Sequence, residues 1–482
     1  MLMAYKYGDR NQIELLPPCI DDYVGEDSPV RAYDAIINAL NFQELGIEID
    51  EKKTGNSSYD PVAMLKLLAY GYSYGIKSSR KLERACHETL SFIWLIGGLK
   101  PDHKTICEFR RKNITALNKV LKQLVRICIK LELIDGNILF VDGSKFRGNA
   151  GRNTIHSKEW CEKELQKIDQ RIDQLLAECE RQDQKESNET SYVKVNKELT
   201  QTKKLREKIN LAFSELNRKK TSKVSITDPD SGVMKGRQGS HSSYNIQSVV
   251  DEKEGLIVHS EAVTDKNDLN QFAKQIDRAI VNTQKKCKVA CADPGYANTD
   301  ILEKIDKKDI HVIVPSKRQA SRKKHKPFEK IQFKYEVQED CYYCPSGHLL
   351  RYSGPNNSKK GNYYRIVDFH ICRECKYYGK CTTSKYGRRI LRYWNETTTE
   401  RFEKQYSESQ NIYKLRKQKV ELPFGHIKYN MGYGQFMLRG LKKVQGEISL
   451  LSACFNISRM IGIFGVKELI GKLMALDILQ HA

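Results

Sequence analysis

The sequence predicts a mixed α/β chain that begins with a helical part. Apolar residues recur at helical spacing through residues 1–135. From about residue 136, short apolar runs of strand type alternate with amphipathic segments. A highly charged stretch at 157–218 interrupts this alternation. The 482 residues are too many for one simple core, and 39% of them are hydrophobic, so we expect several structural units that bury a sizeable interior.

The helical part carries recognisable helix starts. Asp60 and Pro61 precede an apolar segment as a cap and a first-turn residue, and Ser79 is a second predicted cap. A long helix or a pair of helices is expected after Pro101 and Asp102. Two helices joined by a short glycine-containing turn fit either a DNA-reading helix-turn-helix or an ordinary helical bundle, and the pattern leaves both open. We predict an N-terminal DNA-binding domain at 1–135.

The strand signals define a predicted core. A strand over 138–141 is predicted to end at Asp142, and a hairpin follows over 243–251 and 255–263. A buried strand then ends at Asp293, between two amphipathic helices, and a last strand covers 310–316. This order predicts a mixed sheet. The core comprises 136–156, 220–335 and 391–482.

Two insertions are predicted in this core. Residues 157–219 read as an antiparallel helical hairpin packed along one apolar seam. The seam residues are Leu165, Ile168, Ile172, Leu175 and Cys179 on one helix and Leu205, Ile209, Phe213 and Leu216 on the other. The second insertion is the cysteine-rich stretch 336–390.

The net charge of +22 is unevenly distributed. Residues 1–100 carry 11 Lys and Arg against 14 Asp and Glu, so the excess lies in the rest of the chain. A long basic region favours a nucleic-acid partner over a merely solvated surface. The run 314–326 has six Lys and Arg and no acid, and we expect a loop that holds a DNA backbone. Its predicted DNA-binding residues are Lys317, Arg318, Arg322, Lys323 and Lys324.

No apolar run approaches the roughly 18 residues of a membrane span. The first residues lack the apolar stretch of a secretory signal. We therefore expect a cytoplasmic protein without membrane contact.

Three carboxylates are candidates for metal chemistry. Asp142 and Asp293 follow strands, and Glu421 lies in a late helical segment. Carboxylates at strand ends suit Mg²⁺ or Mn²⁺, and two such ions can activate the attacking oxygen and stabilise the leaving one at a phosphodiester. Taken singly, each aspartate also fits a turn former, and Glu421 fits a surface residue.

Five cysteines cluster between 341 and 381. The pairs Cys341 and Cys344, and Cys372 and Cys375, have C-x-x-C spacing, which favours a structural zinc site. Cys381 is a fifth candidate that could replace one of the four. A redox role is the alternative, whereas disulfides are disfavoured in a reducing cytosol. His348 and His370 are interpreted as bystanders.

These motifs resemble those of bacterial insertion-sequence transposases of the DDE type, which have an RNase H-like core. The similar segments are VDGSKFRGNA at Asp142, CADPGYAN at Asp293 and YKLRKQKVELPFGHIK at Glu421. The resemblance covers nearly the whole chain, and it extends to the helical opening domain and the cysteine-rich insertion.

The resemblance implies roles for further residues. The family motif Tyr-x2-Arg-x3-Glu-x6-Lys corresponds to Tyr413, Arg416, Glu421 and Lys428. One residue too many separates Arg416 from Glu421, so Lys417 stands at the expected spacing instead. Tyr413, Arg416 and Lys428 are predicted DNA contacts, with Tyr413 stacking on an unpaired base and Lys428 neutralising a phosphate. Tyr413 and Lys428 fit ordinary packing or surface positions equally well, and Glu447 is a reserve for Glu421.

The implied activity is hydrolysis at the ends of a mobile element followed by transfer of the freed strand into target DNA. A dimer or larger assembly on double-stranded DNA is implied, because two ends must be joined. Two alternatives remain at this point: a nuclease of the same fold without strand transfer, and a catalytically inactive zinc-containing DNA-binding regulator.

Overall fold

The computed structural model describes residues 19–49, 58–183, 189–236, 239–321 and 328–476. They form two compact units. Unit 1 comprises Met1–Asn267, Asp277–Lys286 and Lys417–Ala482, and unit 2 comprises Asp268–Ile276 and Cys287–Arg416. The mixed α/β class and the helical N-terminal part are confirmed.

Seven helices open unit 1 within the described residues. They are α1 (Pro29–Asn38), α2 (Phe42–Leu45), α3 (Pro61–Ser73), α4 (Ser79–Glu88), α5 (Leu90–Leu95), α6 (His103–Lys112) and α7 (Ile114–Lys130). The Asp60 side chain caps α3 by accepting from the backbone N–H groups of Val62 and Ala63, as predicted. The predicted cap at Ser79 is wrong by one residue: Ser78 is the N-cap and Ser79 begins α4.

The predicted helical hairpin is present as α8 (Lys158–Asp183) and α9 (Glu189–Arg218). Ion pairs Arg171–Glu198 and Arg206–Asp169 join the two helices in antiparallel order. Ile168 and Ile209 are buried in one apolar cluster. Leu205 is 44% exposed, so its predicted place in the seam is wrong. A heptad-like spacing predicts which face packs but not how far along the helix the packing extends.

Six strands lie in the described part of unit 1. They are β1 (Ile138–Arg147), β2 (Ile155–Ser157), β3 (Lys223–Ser225), β4 (Gly232–Gly236), β5 (Gly239–Asp251) and β6 (Ile257–Val263). The long β5 pairs antiparallel with β1, β4 and β6, and the predicted β5–β6 hairpin is confirmed. The short strands β2 and β3 pair with each other.

Strand β1 does not end at Asp142 as predicted. It continues through polar residues to Arg147, because each residue of that stretch pairs with β5. Backbone pairing requires no apolar side chains when one face stays open to solvent. The prediction took the end of the apolar run for the end of the strand.

The chain then passes through α10 (Phe272–Thr283) into the parallel pair of unit 2. Here β7 (Val289–Ala292) pairs with β8 (His311–Ile313), and α11 (Thr299–Asp306) connects them. Three of the four residues of β7 are buried, as expected for a strand covered on both faces.

The cysteine-rich insertion forms a five-stranded antiparallel sheet in unit 2. Its elements are β9 (Lys334–Glu336), β10 (Cys341–Tyr343), β11 (Leu349–Asn356), β12 (Gly361–Ile366), α12 (Phe369–Glu374) and β13 (Arg389–Tyr393). The strands are ordered β13-β12-β11-β10-β9. Tyr342, Leu350 and Tyr364 lie at the centre of its apolar core.

The last helices are α13 (Glu396–Glu408), α14 (Gln410–Gly425), α15 (Leu441–Phe464) and α16 (Val466–Ala475). A π-helical turn, His426–Asn430, follows α14 directly.

Helix α15 is the central helix of unit 1. Asn456 is fully buried, and its amide binds both the N–H and the C=O of Ile257 at the start of β6. By length and composition α15 could cross a membrane, although no such segment was predicted; 67% of its apolar window is buried inside the fold. Core helices meet the same criterion.

Candidate active site

Asp142 lies within β1, opposite Ser248 of β5, and is partly exposed. Because successive residues of a strand point to opposite faces, Asp142, Ser144 and Phe146 share one face. Phe146 is buried, whereas Ser144 is partly exposed. This face therefore runs from an accessible carboxylate to a buried aromatic ring.

Lys428 lies against the same face of β1. Its Nζ donates to Ser144 Oγ at 2.6 Å and is 4.5 Å from the centre of the Phe146 ring. Lys428 is in the π-helical turn that follows α14. Such turns are rare in proteins, and those that occur are often found at functional sites. The structure thus brings a lysine of the predicted third motif to the strand that carries Asp142.

Asp293 directly follows β7, as predicted, and its side chain is 37% exposed. Its Oδ1 accepts from the N–H of Gly295 at 2.8 Å, which caps the short helical turn Pro294–Tyr296. This is the turn-forming role weighed for Asp293 from the sequence. One oxygen serves the turn, and the other faces Arg416.

Arg416 is the basic residue that accompanies Asp293 in unit 2. Its Nη2 is 3.9 Å from Asp293 Oδ2, and its side chain is only 11% exposed. Lys417, which has the expected spacing, is exposed instead. Arg416 therefore lies beside Asp293 despite the one extra residue between Arg416 and Glu421.

Tyr413 is one helical turn from Arg416. It packs edge-on against Tyr406, with ring centres 4.9 Å apart. Burial raises the pKa of Tyr413 to about 12, and the Arg416 guanidinium acts in the opposite direction. Tyr413 therefore keeps its proton at neutral pH and can donate a hydrogen bond.

Glu421 and its reserve candidate differ in environment. Glu421 is exposed on α14, two residues before Pro423. Glu447 is 1% exposed, and its carboxylate accepts from the N–H groups of Met437 and Leu438. Burial raises the pKa of Glu447. Glu447 holds a loop, whereas Glu421 is accessible to a solvated ion.

Asp142 and Glu421 belong to unit 1 and Asp293 to unit 2. Within the residues that the structure describes, no three His, Cys, Asp or Glu side chains form a group ready to hold a metal ion. The three carboxylates nevertheless offer the oxygen donors that Mg²⁺ and Mn²⁺ prefer.

Four of the five clustered cysteines line one small cavity of about 30 Å³ in unit 2. They are Cys344, Cys372, Cys375 and Cys381. Burial raises the pKa of the Cys381 thiol, and the three neighbouring thiols act in the same direction. Cys341 is buried in β10 and does not line this cavity; its Sγ contacts Glu339 Oε2 at 3.6 Å.

A basic cleft crosses unit 1 beside β1. It consists of two adjoining cavities of about 810 and 410 Å³ that share Arg147 and His241. The residues that line it include six cationic side chains and, among those described, no Asp or Glu. The six are Lys145, Arg147, Arg152, Lys235, Lys428 and Arg439.

The predicted basic loop is only partly described. Lys317 is exposed, and Arg318 forms an ion pair with Glu403 of α13. Arg322, Lys323 and Lys324 lie outside the described residues. The charge of Arg318 is already partnered within unit 2.

Two family models match the chain. A model described as Transposase domain (DUF772) matches residues 18–112, which hold most of the opening helices. A model described as Transposase DDE domain matches residues 343–461, which include Tyr413, Arg416, Glu421 and Lys428. The chain is an insertion-sequence DDE transposase. It is therefore a DNA transposase, as the sequence predicted.

The transposase has 9% identity to the piggyBac transposase in a synaptic complex with hairpin DNA, over 94% of this chain and 81% of that chain, with a TM-score of 0.32. No curated protein matches the transposase.

The sequence did not predict the basic cleft of the transposase. Its cations come from β1, β4 and the segments that follow β1 and α14, and no single stretch among them is rich in charge. The one available signal was the excess charge outside the first 100 residues, which says nothing about position.

Proposed function

We propose that the transposase hydrolyses a phosphodiester at each end of its mobile element and then transfers the freed 3′ end into target DNA. Asp142, Asp293 and Glu421 are the proposed metal-binding carboxylates. The observation that carries this proposal is the 2.6 Å bond from Lys428 to Ser144, because it joins the segment after Glu421 to the face of β1 that bears Asp142. The 3.9 Å approach of Arg416 to Asp293 supports the same motif in unit 2.

The donor set fits two Mg²⁺ or Mn²⁺ ions. Bound ions of this kind would act as Lewis acids on the attacking and leaving oxygens. Asp142 and Glu421 are accessible, and Asp293 keeps one oxygen outside its turn. Glu447 is too deeply buried to take part.

The proposed reaction has two steps, in which the side chains around the carboxylates have distinct roles. In the first step water attacks the phosphorus atom and the bond to the departing strand breaks, which leaves a 3′-hydroxyl. In the second step that hydroxyl attacks a target phosphodiester, and a target 3′-oxygen leaves with a proton. Lys428 neutralises a phosphate beside Asp142. Arg416 orients the Asp293 carboxylate, and protonated Tyr413 donates to a phosphate oxygen.

DNA is the proposed partner because the basic cleft offers six cations to a phosphate backbone. Two copies of the chain are proposed to assemble on two element ends. Light scattering of the protein with and without end DNA measures this assembly, and a complex with a single copy would contradict it.

The catalytic proposal is tested by cleavage and joining of DNA that carries the element's own ends, in Mg²⁺ or Mn²⁺. Asp142→Asn, Asp293→Asn and Glu421→Gln are expected to abolish both steps while DNA binding survives. Glu207→Gln, an exposed carboxylate on α9, is the matched control and should retain both. Cleavage that persists in all three variants would refute this assignment. Cleavage without joining in the wild type would indicate a nuclease, and binding alone a regulator.

We also propose that Cys344, Cys372, Cys375 and Cys381 hold one structural zinc ion. The four side chains line one cavity of about 30 Å³, and four thiolates are the donor set of a structural zinc ion, which would draw them together from positions that do not form a metal-ready group. The alternative in which Cys381 replaces one of the paired cysteines, here Cys341, is therefore the one we favour. Four protein ligands leave no open position, so this ion would stabilise the five-stranded sheet and take no part in catalysis.

Zinc content of the purified protein tests this ligand set. Cys381→Ser is expected to lose the metal and Cys341→Ser to keep one zinc per chain, measured by elemental analysis. Equal zinc loss in both variants, or zinc retained in Cys381→Ser, would contradict the set.

A further inference from the structure

One aromatic side chain stands out in the basic cleft. Tyr429 lines the smaller cavity and is 79% exposed, the highest value among the exposed large hydrophobic side chains of the described residues. It directly follows Lys428 in the π-helical turn. Because Lys428 is bonded to Ser144, the turn that presents Tyr429 is attached to β1.

The surroundings of Tyr429 are cationic. Lys145, Arg147 and Lys235 line the same cavity of about 410 Å³, and the first two lie on β1. All three are exposed. A volume of this order accommodates a ligand the size of a small molecule. An exposed aromatic ring among cations is the combination that proteins use to bind single strands, with phosphates on the cations and a base on the ring.

We propose that this part of the cleft binds an unpaired stretch of DNA, with Tyr429 stacking on one base. In a continuous duplex both faces of each base are covered by neighbouring bases, so an exposed ring has no base face to contact. A strand end or a separated strand offers such a face. The proposal rests on the proposed function only in taking DNA as the ligand.

The location beside β1 gives this site a purpose. The cleft follows the strand from Lys145 onward, three residues after Asp142. Cleavage frees a strand end, and a free end must be retained until it is joined to its target. Tyr429 and the cations around it would hold the nucleotides next to that end.

Two probes test the proposal by fluorescence anisotropy without added Mg²⁺ or Mn²⁺, where no cleavage is expected and the proposed structural zinc is retained: a blunt duplex, and the same duplex with a short 3′ single-stranded extension. Stacking of a base on an aromatic ring contributes about 1–3 kcal/mol, which corresponds to a change of about 5- to 150-fold in Kd. Tyr429→Ala should lose a preference of this size for the extended probe, and Tyr429→Phe should keep it. Tyr23→Ala, which removes another exposed tyrosine of unit 1, is the matched control.

A spectroscopic signal separates stacking from a loss of fold. The fluorescence of 2-aminopurine in the extension should be quenched by the wild type and by Tyr429→Phe but not by Tyr429→Ala.

Salt dependence tests the cations. Removing Lys145 and Lys235 together as glutamines should lower the slope of log K against log salt by about 1.4 for the extended probe. The control Lys203→Gln with Lys204→Gln, on α9, should leave the slope unchanged.

An equal preference for the extension in Tyr429→Ala and the wild type would overturn the proposal, as would the absence of a preference in the wild type or of any binding. These outcomes are independent of the catalytic proposal. A preference lost in Tyr429→Ala, together with cleavage that survives loss of the three carboxylates, would leave this site standing and refute the assigned catalytic residues.

Discussion

The pairing of α15 with β6 through Asn456 yields the sharpest prediction about stability. Asn456 Oδ1 accepts from the N–H of Ile257 at 2.9 Å, and Asn456 Nδ2 donates to the C=O of Ile257 at 2.8 Å. Asn456 is 0% exposed and Ile257 is 1% exposed. The amide therefore satisfies two backbone groups that water cannot reach.

Replacement of Asn456 by leucine keeps the branched shape of the side chain, although the two methyl groups are larger than the amide atoms, and it removes both bonds. Each buried backbone group left without a partner costs about 1–3 kcal/mol, so the free energy of unfolding should fall by about 2–6 kcal/mol. That is a large share of the usual stability of a folded unit, about 5–15 kcal/mol. With a urea m-value of about 3 kcal/mol/M, the unfolding midpoint should fall by about 0.7–2 M.

The assay is urea unfolding followed by tryptophan fluorescence in a Trp394→Phe background. Trp94 and Trp160 then report on unit 1 alone. Asn282→Leu is the control: Asn282 is only partly buried, and its Nδ2 bonds to the Val258 carbonyl and to His259 Nδ1, so water can replace these bonds. A midpoint shift in Asn456→Leu no larger than that in Asn282→Leu would refute the reasoning.

Three further predictions concern unit 1. Burial raises the pKa of Asp228, so the folded state binds the proton more tightly than the unfolded state, and the stability of the wild type falls as pH rises through this raised pKa. The urea midpoint of Asp228→Asn should therefore rise relative to that of the wild type between about pH 4 and pH 7, and a difference that stays constant with pH would contradict this. A Cβ at Gly446 would stand 2.5 Å from Ile114 Cδ1 and 3.1 Å from the Ile114 carbonyl oxygen, so Gly446→Ala should lower the Tm. Gly462 lies on the same helix with open space around it, so Gly462→Ala should raise the free energy of unfolding by about 0.5–1 kcal/mol, and similar Tm changes in both variants would be inconsistent with close packing at Gly446. Ile209→Ala should reduce the hydrogen-exchange protection of the helical hairpin by about 2–5 kcal/mol and Leu205→Ala by far less, because of these two residues only Ile209 is buried. Equal losses in the two variants would show that Leu205 also packs in the seam.

Local patterns in the sequence were sufficient for much of the fold. The Asp60 cap of α3, the β5–β6 hairpin and the two helices of the hairpin insertion all follow from rules that operate over a few residues. The same holds for Asp293 after β7, because a buried four-residue strand and a Pro-Gly turn are both local features. Such features depend on backbone preference and periodicity, which do not require knowledge of distant contacts.

The site depended on contacts between distant parts of the chain. The length of β1 was decided by its pairing with β5. Arg416 lies near Asp293 although its spacing from Glu421 differs by one residue from the family motif. The grouping of Cys381 with three of the paired cysteines was decided by the fold of the five-stranded sheet.

The sequence by itself determined the α/β class, the helical opening, the candidate carboxylates and the presence of a basic region. Only the tertiary structure decided which cations share a cleft, and that Tyr429 stands exposed among them. The physical reason is that helix and strand periodicities act within one element. A cleft is a property of several elements that long-range packing brings side by side.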